Sequence, residues 1–441
     1  MKRYFFSITM CIFTFSGLYA QMNKIEFEEF TLENGLHVIL HQDKSTPIVA
    51  ITTSYHVGSK NENPDRTGFA HFFEHLLFEG SENIGRGQID KLIQNAGGTL
   101  NAFTTQDRTV YFEILPSNQL ALGLWIESER MLHAKVDQVG IETQREVVKE
   151  ERRQRYENQP YGSWMLEALS RAYTVHPYQW APIGSMEHLN AAQEEDYVNF
   201  YKDFYVPNNA VLSIAGDLDI EEAKKLIDMY FKDIPKSKKP IYRPDIVEPP
   251  LSEEIRDTIY DNIQLPGVFQ VYRIPAQGTD DFYAVSMLST LLADGQSSRM
   301  YKAIVDEQQK AVAIGNHPFS LEDPGIAITY GIVNMGTPAE DLEAAMDAEI
   351  AKVQNELIGD REFQKLRNKI ENDFITQNSG MSQIAPSLAN YHMFFGDANL
   401  INTEIDKYLA VTKEDIQRVA KKYYNKDNRI TLIYLPMPEN P

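Results

Sequence analysis

An α+β fold of two similar domains, each a mainly antiparallel sheet packed with helices, is predicted by three features of this 441-residue sequence. The first is a weak internal repeat. Glu195-Asp196-Tyr197, Tyr205-Val206-Pro207-Asn208-Asn209 and the apolar run Ala210-Val211-Leu212-Ser213-Ile214 return as Glu414-Asp415-Ile416, Tyr424-Asn425-Lys426-Asp427-Asn428 and Arg429-Ile430-Thr431-Leu432-Ile433. Tyr205 and Tyr424 stand 219 positions apart, as do Asn209 and Asn428. Each copy has the pattern of a helix, a short turn and a β-rich strand. The second feature is a mixture of strand and helix periods without the strict alternation that a parallel βαβ sheet requires. The third is the polar stretch Pro235-Lys236-Ser237-Lys238-Lys239-Pro240, followed by Pro244, Pro249 and Pro250, which has linker composition. The expected layout is a first domain over residues 21–235, a linker over 236–250 and a second domain over 251–441.

The chain opens with Lys2 and Arg3, an apolar run reaching Phe15, and Gly17-Leu18-Tyr19-Ala20 ahead of the polar Gln21. That is the layout of a signal peptide over residues 1–20, predicting export to a periplasm, with full secretion as the other destination. The single cysteine, Cys11, falls in this segment, so the mature chain is expected to hold no disulfide and no thiolate ligand. No later stretch is long and apolar enough to span a bilayer. The net charge of -21 argues against nucleic acid, whose phosphates need clustered Lys and Arg.

Residues 36–40 and 48–57 read as strands, and residues 68–78 as a helix. Residues 88–96 read as a second helix, stopped by Gly97-Gly98. Residues 99–104 and 109–115 have hairpin character around Gln106-Asp107. Helical patterns follow over 117–132 and 139–156.

The chemical signal is His71-Phe72-Phe73-Glu74-His75. Residues i and i+4 of a helix share a face, so both imidazoles can meet one metal ion, Zn2+ by ligand type. Glu74 lies beside that face, where it can act as general base toward a water that the ion activates. A catalytic zinc needs a third protein ligand and one open position. Val147 and Val148 are expected to mark the buried stripe of the 139–156 helix, with Glu151 four and three positions on. That makes Glu151 the leading candidate for the third ligand, beside its neighbour Glu150.

These residues resemble those of the pitrilysin-type inverted zinc peptidases, which include insulin-degrading enzyme and the mitochondrial processing peptidase. The resemblance runs through Val57-Gly58-Ser59, the stretch from Gly68 to Ser81, Gly97-Gly98-Thr99-Leu100-Asn101-Ala102, Val147-Val148-Lys149-Glu150-Glu151 and Tyr205-Val206-Pro207-Asn208-Asn209. It implies a LuxS/processing-peptidase-like fold whose second domain is degenerate, with Ser286, Ser289 and Thr290 where His71, Glu74 and His75 stand. The family places its third ligand about 76 residues beyond the second His, which selects Glu151 over Glu150. The resemblance also implies that an extended peptide adds to the edge strand at 99–104, with Asn101, Ala102 and Phe103 lining the groove.

Two departures from the family pattern stand out. Gln144 stands where the family often has a Glu supporting the metal ligands; an amide can hydrogen-bond there but carries no charge. Self-contained members also carry an Arg and, seven residues on, a Tyr in the second domain. Here Val305 and Val312, or Asp306 and Ala313 in a shifted register, stand at those places. The expectation is therefore a zinc endopeptidase acting on peptides or unfolded polypeptides as one subunit of a heterodimer, whose related partner supplies the Arg/Tyr pair. The alternative is a non-catalytic peptide-binding or assembly subunit of the same fold. Zinc buffering is a third class, which usually shows His-rich tracts absent from this sequence.

Overall fold

Two sheets with the same wiring organise the chain in the computed structural model, which describes residues 24–438. The first contains β1 (Glu28–Thr31), β2 (His37–Gln42), β3 (Ile48–Tyr55), β4 (Thr99–Thr104), β5 (Thr109–Pro116) and β6 (Ala210–Gly216), in the order β1-β2-β6-β3-β5-β4. The second contains β7 (Ile255–Asp261), β8 (Gly267–Arg273), β9 (Ala311–Pro318), β10 (Ile326–Val333) and β11 (Arg429–Pro436), in the order β7-β11-β8-β10-β9. One pair in each sheet is parallel, β2 with β6 and β7 with β11, and the remaining pairs are antiparallel. Among the described residues only β1 lacks a counterpart. The fold is α+β, as the residue patterns predict.

The helices of the first half are α1 (Phe69–Leu76), α2 (Ile89–Asn95), α3 (Leu120–Leu132), α4 (Gln138–Arg152), α5 (Trp164–Ala172), α6 (Met186–Ala191), α7 (Glu194–Phe204) and α8 (Ile220–Phe231). Those of the second are α9 (Asp280–Ala293), α10 (Ala339–Asn355), α11 (Asp360–Gln377), α12 (Met381–Phe395), α13 (Leu400–Ala410) and α14 (Lys413–Tyr423). None is long and apolar enough to cross a membrane. The signal-peptide reading and Cys11 lie outside the described residues.

The core shows how the halves are joined. Strand side chains alternate between faces. Leu212 and Ile214 of β6 enter the core beneath α1 and α3, while Val211 and Ala215 face the other way, with Ile39 and Ala50, against Ile384, Ala385, Leu388 and Ala389 of α12. The second half thus lends a helix to the first sheet. The loan is reciprocated: α5 packs on β8 and β11, setting Ala168, Leu169 and Trp164 against Phe269, Val271, Ile430, Leu432 and Tyr434. Shifted by the repeat length of 219, α5 falls inside α12, and Val211 and Ala215 fall on Ile430 and Tyr434.

A buried ion cluster adds to the joint. Lys60 Nζ lies 3.1 Å from Asp107 Oδ1, 2.5 Å from Glu322 Oε2 and 3.1 Å from Asp323 Oδ2, the last two brought by the loop between β9 and β10. Asp107 also accepts from Tyr178 Oη at 2.6 Å and from the Glu322 N–H at 3.0 Å.

Candidate metal centre

Helix α1 is set into the first half by its own ends. Its N-cap is Gly68, at φ +97 against the backbone of Gly184, where a Cβ would stand 3.1 Å from the Gly184 Cα. Only glycine meets both demands without strain. The buried Glu62 carboxylate accepts the Gly68 and Ala70 N–H groups at 2.9 Å each, satisfying donors that the first turn leaves free. Burial lifts the Glu62 carboxyl to about 8, although these N–H groups pull the other way. Phe69, Phe72 and Phe73 point inward onto Tyr197, Phe200 and Tyr205, so His71, Glu74 and His75 are left on the side facing α4 and β4.

There the His71 and His75 rings stand 4.8 Å apart at 72°. Glu151 Oε2 on α4 lies 3.7 Å from His71 Nε2 and 3.1 Å from His75 Nε2. For zinc–ligand bonds of about 2.0 Å, donors on a tetrahedron stand about 3.3 Å apart, so this spacing suits one ion. Burial, then the neighbouring His75, drives the His71 imidazole down to about 4 against the pull of Glu151. It is thereby held neutral, the form that ligates metals. Burial works to raise the Glu151 carboxyl, but the His75 hydrogen bond and the charges of His71, His75 and Arg155 outweigh it, and the group sits below its ordinary value. Burial raises Glu74, opposed by Thr104 and His75. The neutral His71 imidazole, the His75 imidazole beside it and an ionised Glu151 carboxylate are a donor set that fits zinc.

The remaining sequence-predicted residues fall as follows. Val148 is buried but Val147 is 44% exposed, a correction: adjacent residues point about 100° apart around a helix, so the stripe runs through Ile141, Arg145 and Val148. Glu151 follows Val148 by three positions and turns inward, whereas Glu150 is exposed and pairs with Arg153. Gln144 donates to Glu79 Oε1 at 2.5 Å, not to an imidazole. Glu79 is buried and also holds Arg86. Asn101, Ala102 and Phe103 lie on β4, which ends its sheet and packs beside α1; Asn101 is exposed, Ala102 buried and Phe103 half-buried. Val305 is half-buried in an underwound turn over 301–307, and Val312 is 52% exposed on β9.

Two features were not anticipated. Arg155 Nη1 holds Glu151 Oε1 at 2.8 Å, leaving Oε2 for the imidazole side. It sits where α4 widens into a π-turn over Arg153–Glu157, which periodicity does not announce. Beside Arg155 opens a cavity of about 760 Å³, lined by Tyr156, Tyr161 and Trp164 from the first half and by Phe319, Ile328 and Tyr330 from the second. Its walls come from segments more than a hundred residues apart, so no local pattern points to it.

A two-sheet α+β protein with a His-His-Glu cluster beside an edge strand is the class that fold and site define. Residues 37–179 match the model of insulinase, peptidase family M16, and residues 192–370 match that of the peptidase M16 inactive domain. The chain is 30% identical over 425 residues to zinc protease PqqE of Helicobacter pylori, covering 95% of each. It is 24% identical to the probable mitochondrial-processing peptidase subunit beta of Arabidopsis thaliana, over 91% of this chain and 77% of that one. The crystal structure of a protease from Helicobacter pylori superposes with a TM-score of 0.89 at 29% identity, over 93% of this chain and 100% of that one. The chain belongs to peptidase family M16.

Proposed function

We propose that this chain is a zinc-dependent endopeptidase that cleaves peptides or unfolded polypeptides, with His71, His75 and Glu151 holding the ion and Glu74 as the general base. The observation that carries the reading is the convergence of three donors of the right type and spacing beside an unpaired strand edge. Zinc, when bound, would supply Lewis acidity and lower the pKa of a water to about 7. Glu74 adjoins the ligand His75 on the open side of α1, where its carboxylate can take a proton and hand it to the leaving amine. Arg155 keeps one oxygen of Glu151 occupied and so orients the other. β4 offers free backbone groups on its outer edge, and an extended peptide can add there as a further strand, with Asn101, Ala102 and Phe103 along it. The aromatic cavity next to Arg155 favours apolar side chains in the peptide.

Valine at positions 305 and 312 offers neither a guanidinium nor a phenol. A related subunit carrying that Arg/Tyr pair is the partner we propose, with periplasmic export following from residues 1–20. The test is cleavage of a mixed unstructured peptide library by the mature chain in zinc buffer, alone and with the candidate partner, beside Glu74→Gln. Cleavage that vanishes in Glu74→Gln while zinc stays bound supports the peptidase. Equal activity with and without the partner removes the heterodimer, and cleavage that survives Glu74→Gln removes the assigned base.

A further inference from the structure

The turn that follows the third proposed ligand is held in a costly shape by the other half of the molecule. Among the described residues, Tyr161 and Gln309 alone carry a positive φ without being glycine, and Tyr161 stands at φ 60. A residue other than glycine is disfavoured there and persists only where its surroundings fix it. What fixes Tyr161 comes from the second half. Its backbone N–H donates to Asp261 Oδ2, at the end of β7, at 2.7 Å, and its Oη donates to the Leu265 carbonyl at 2.6 Å. Its ring centroid lies 6.1 Å from that of Phe269 and 6.0 Å from that of Tyr434. Gly267 leaves room for the ring, since a Cβ there would stand 3.0 Å from Tyr161 Cε1.

The fold plan does not require this shape. Shifted by the repeat length of 219, Tyr161 falls on Gly380, the N-cap of α12, at φ -137. The residue type best suited to a positive φ thus stands in the half that does not use one. Both exchanged helices are seated on the opposite sheet, yet only α5 is entered through a strained tyrosine. Seating a helix across the joint is therefore not what the strain is for.

On its other side Tyr161 reaches the metal centre through the backbone. Gly162, the next residue, is so close to the π-turn that a Cβ would stand 2.8 Å from the Arg155 carbonyl oxygen and 3.0 Å from that of Tyr156. The turn over Arg153–Glu157 therefore rests on the clamped residues. Arg155 leaves that turn to hold Glu151 Oε1 at 2.8 Å, with a side chain that is 70% exposed. An exposed guanidinium gains little from such a pair by itself, so its aim depends on where the backbone puts it. Arg155, Tyr161 and Gly162 also wall the aromatic cavity.

We propose that Tyr161 is a positioning residue through which the second half, which lacks the ligand residues, sets the Arg155–Glu151 end of the metal centre. The inference rests on the zinc-peptidase reading. It gives the degenerate half a part in the reaction that packing alone would not.

The test is zinc affinity of the full chain, measured by competition with a chromogenic chelator, together with kcat and KM on an unstructured peptide. Tm and circular dichroism are recorded beside them. Asp261→Ala, which removes the acceptor of the Tyr161 N–H, should weaken zinc binding about fivefold and lower kcat more than it raises KM. Arg155→Ala should weaken zinc about tenfold, and Asp261→Ala should add nothing further in that background, because both act through one contact. Leu169→Ala loosens α5 on the same sheet without touching the clamp, and should lower Tm with zinc affinity unchanged. Zinc affinity in Asp261→Ala equal to that of the intact chain overturns this proposal alone, and so do additive losses in the double variant. An intact chain that takes no zinc overturns the peptidase reading together with it. If Asp261→Ala does not fold, Tyr161→Phe, which loses only the bond to Leu265, decides. An affinity unchanged from the intact chain then overturns the clamp, and a loss of about threefold upholds it.

Discussion

The two halves share a sheet wiring but differ in what their first core helix carries. In the first half α1 presents His71, Glu74 and His75 toward β4 and α4. In the second, α9 presents Ser286, Ser289 and Thr290 toward β9 and α11. The second half keeps the hollow, a cavity of about 600 Å³ bounded by these hydroxyls, Asn316 and Ile370. Ile370 stands 219 positions after Glu151. Its chemistry is closed on itself: Ser289 Oγ bonds Tyr424 Oη at 2.9 Å, and Thr290 Oγ1 donates to the Ser286 carbonyl at 3.2 Å. The scaffold is therefore separable from the chemistry. Four side-chain identities separate the candidate metal centre from ordinary packing, and the strand order is unaltered.

The comparison can be broken most directly at the base. Glu74→Gln is expected to lower peptide cleavage by about 10²–10⁴-fold with zinc content unchanged, read by initial rates and metal analysis. Loss of zinc in that variant would instead make Glu74 a ligand. Next in size is the joint between the halves. Lys60→Met strands the carboxylates of Asp107, Glu322 and Asp323, and should cost about 3–5 kcal/mol in urea unfolding. The exchanged helices provide a symmetric test: Leu388→Ala on α12 and Leu169→Ala on α5 should each cost about 2–5 kcal/mol, since both are buried against the other half's sheet. A large cost for one and none for the other would show that the exchange holds on one side only.

Acid sharpens the comparison further. Burial opposes ionisation of Glu322, but His56 and Lys60 hold its carboxyl down at about 2, from an ordinary 4.5. A depressed carboxyl stabilises the folded chain above its unfolded value, and that contribution drains away as pH falls from about 4.5 toward about 2. Thermal unfolding across that window should show Tm falling less steeply in Glu322→Gln than in the unaltered chain. The smallest effect is expected in the silent half: Ser289→Ala should cost about 1 kcal/mol through the lost Tyr424 bond and leave cleavage within about twofold.

Local pattern was enough for elements whose residues face one way along their length. The hairpin expected over 99–104 and 109–115 is β4 and β5, and the helix expected over 68–78 is α1 with its flanks. The fold class followed from the repeat, because the turn at Asn209 recurs at Asn428 and both precede a central strand. What stayed hidden depends on distance along the chain. Glu62 caps α1 across a loop, Arg155 sits in a π-turn, and Phe319 and Tyr330 meet Trp164 only after both sheets have formed. The exposure of Val147 was misjudged because α4 buries only a narrow stripe through Ile141, Arg145 and Val148, and Val147 lies about 100° off it.

The exchange of α5 and α12 also bears on descent. Each helix covers the sheet of the other repeat, and the two occupy equivalent places in the duplicated pattern. An ancestor of one repeat length, folded on this plan, would have left the outer face of its own sheet bare. Such a repeat would cover that face by pairing with a second copy, each lending the other a helix. The geometry is that of a swapped pair carried on a single polypeptide, with the stretch from Pro235 to Pro250 running between the last helix of one repeat and the first strand of the other.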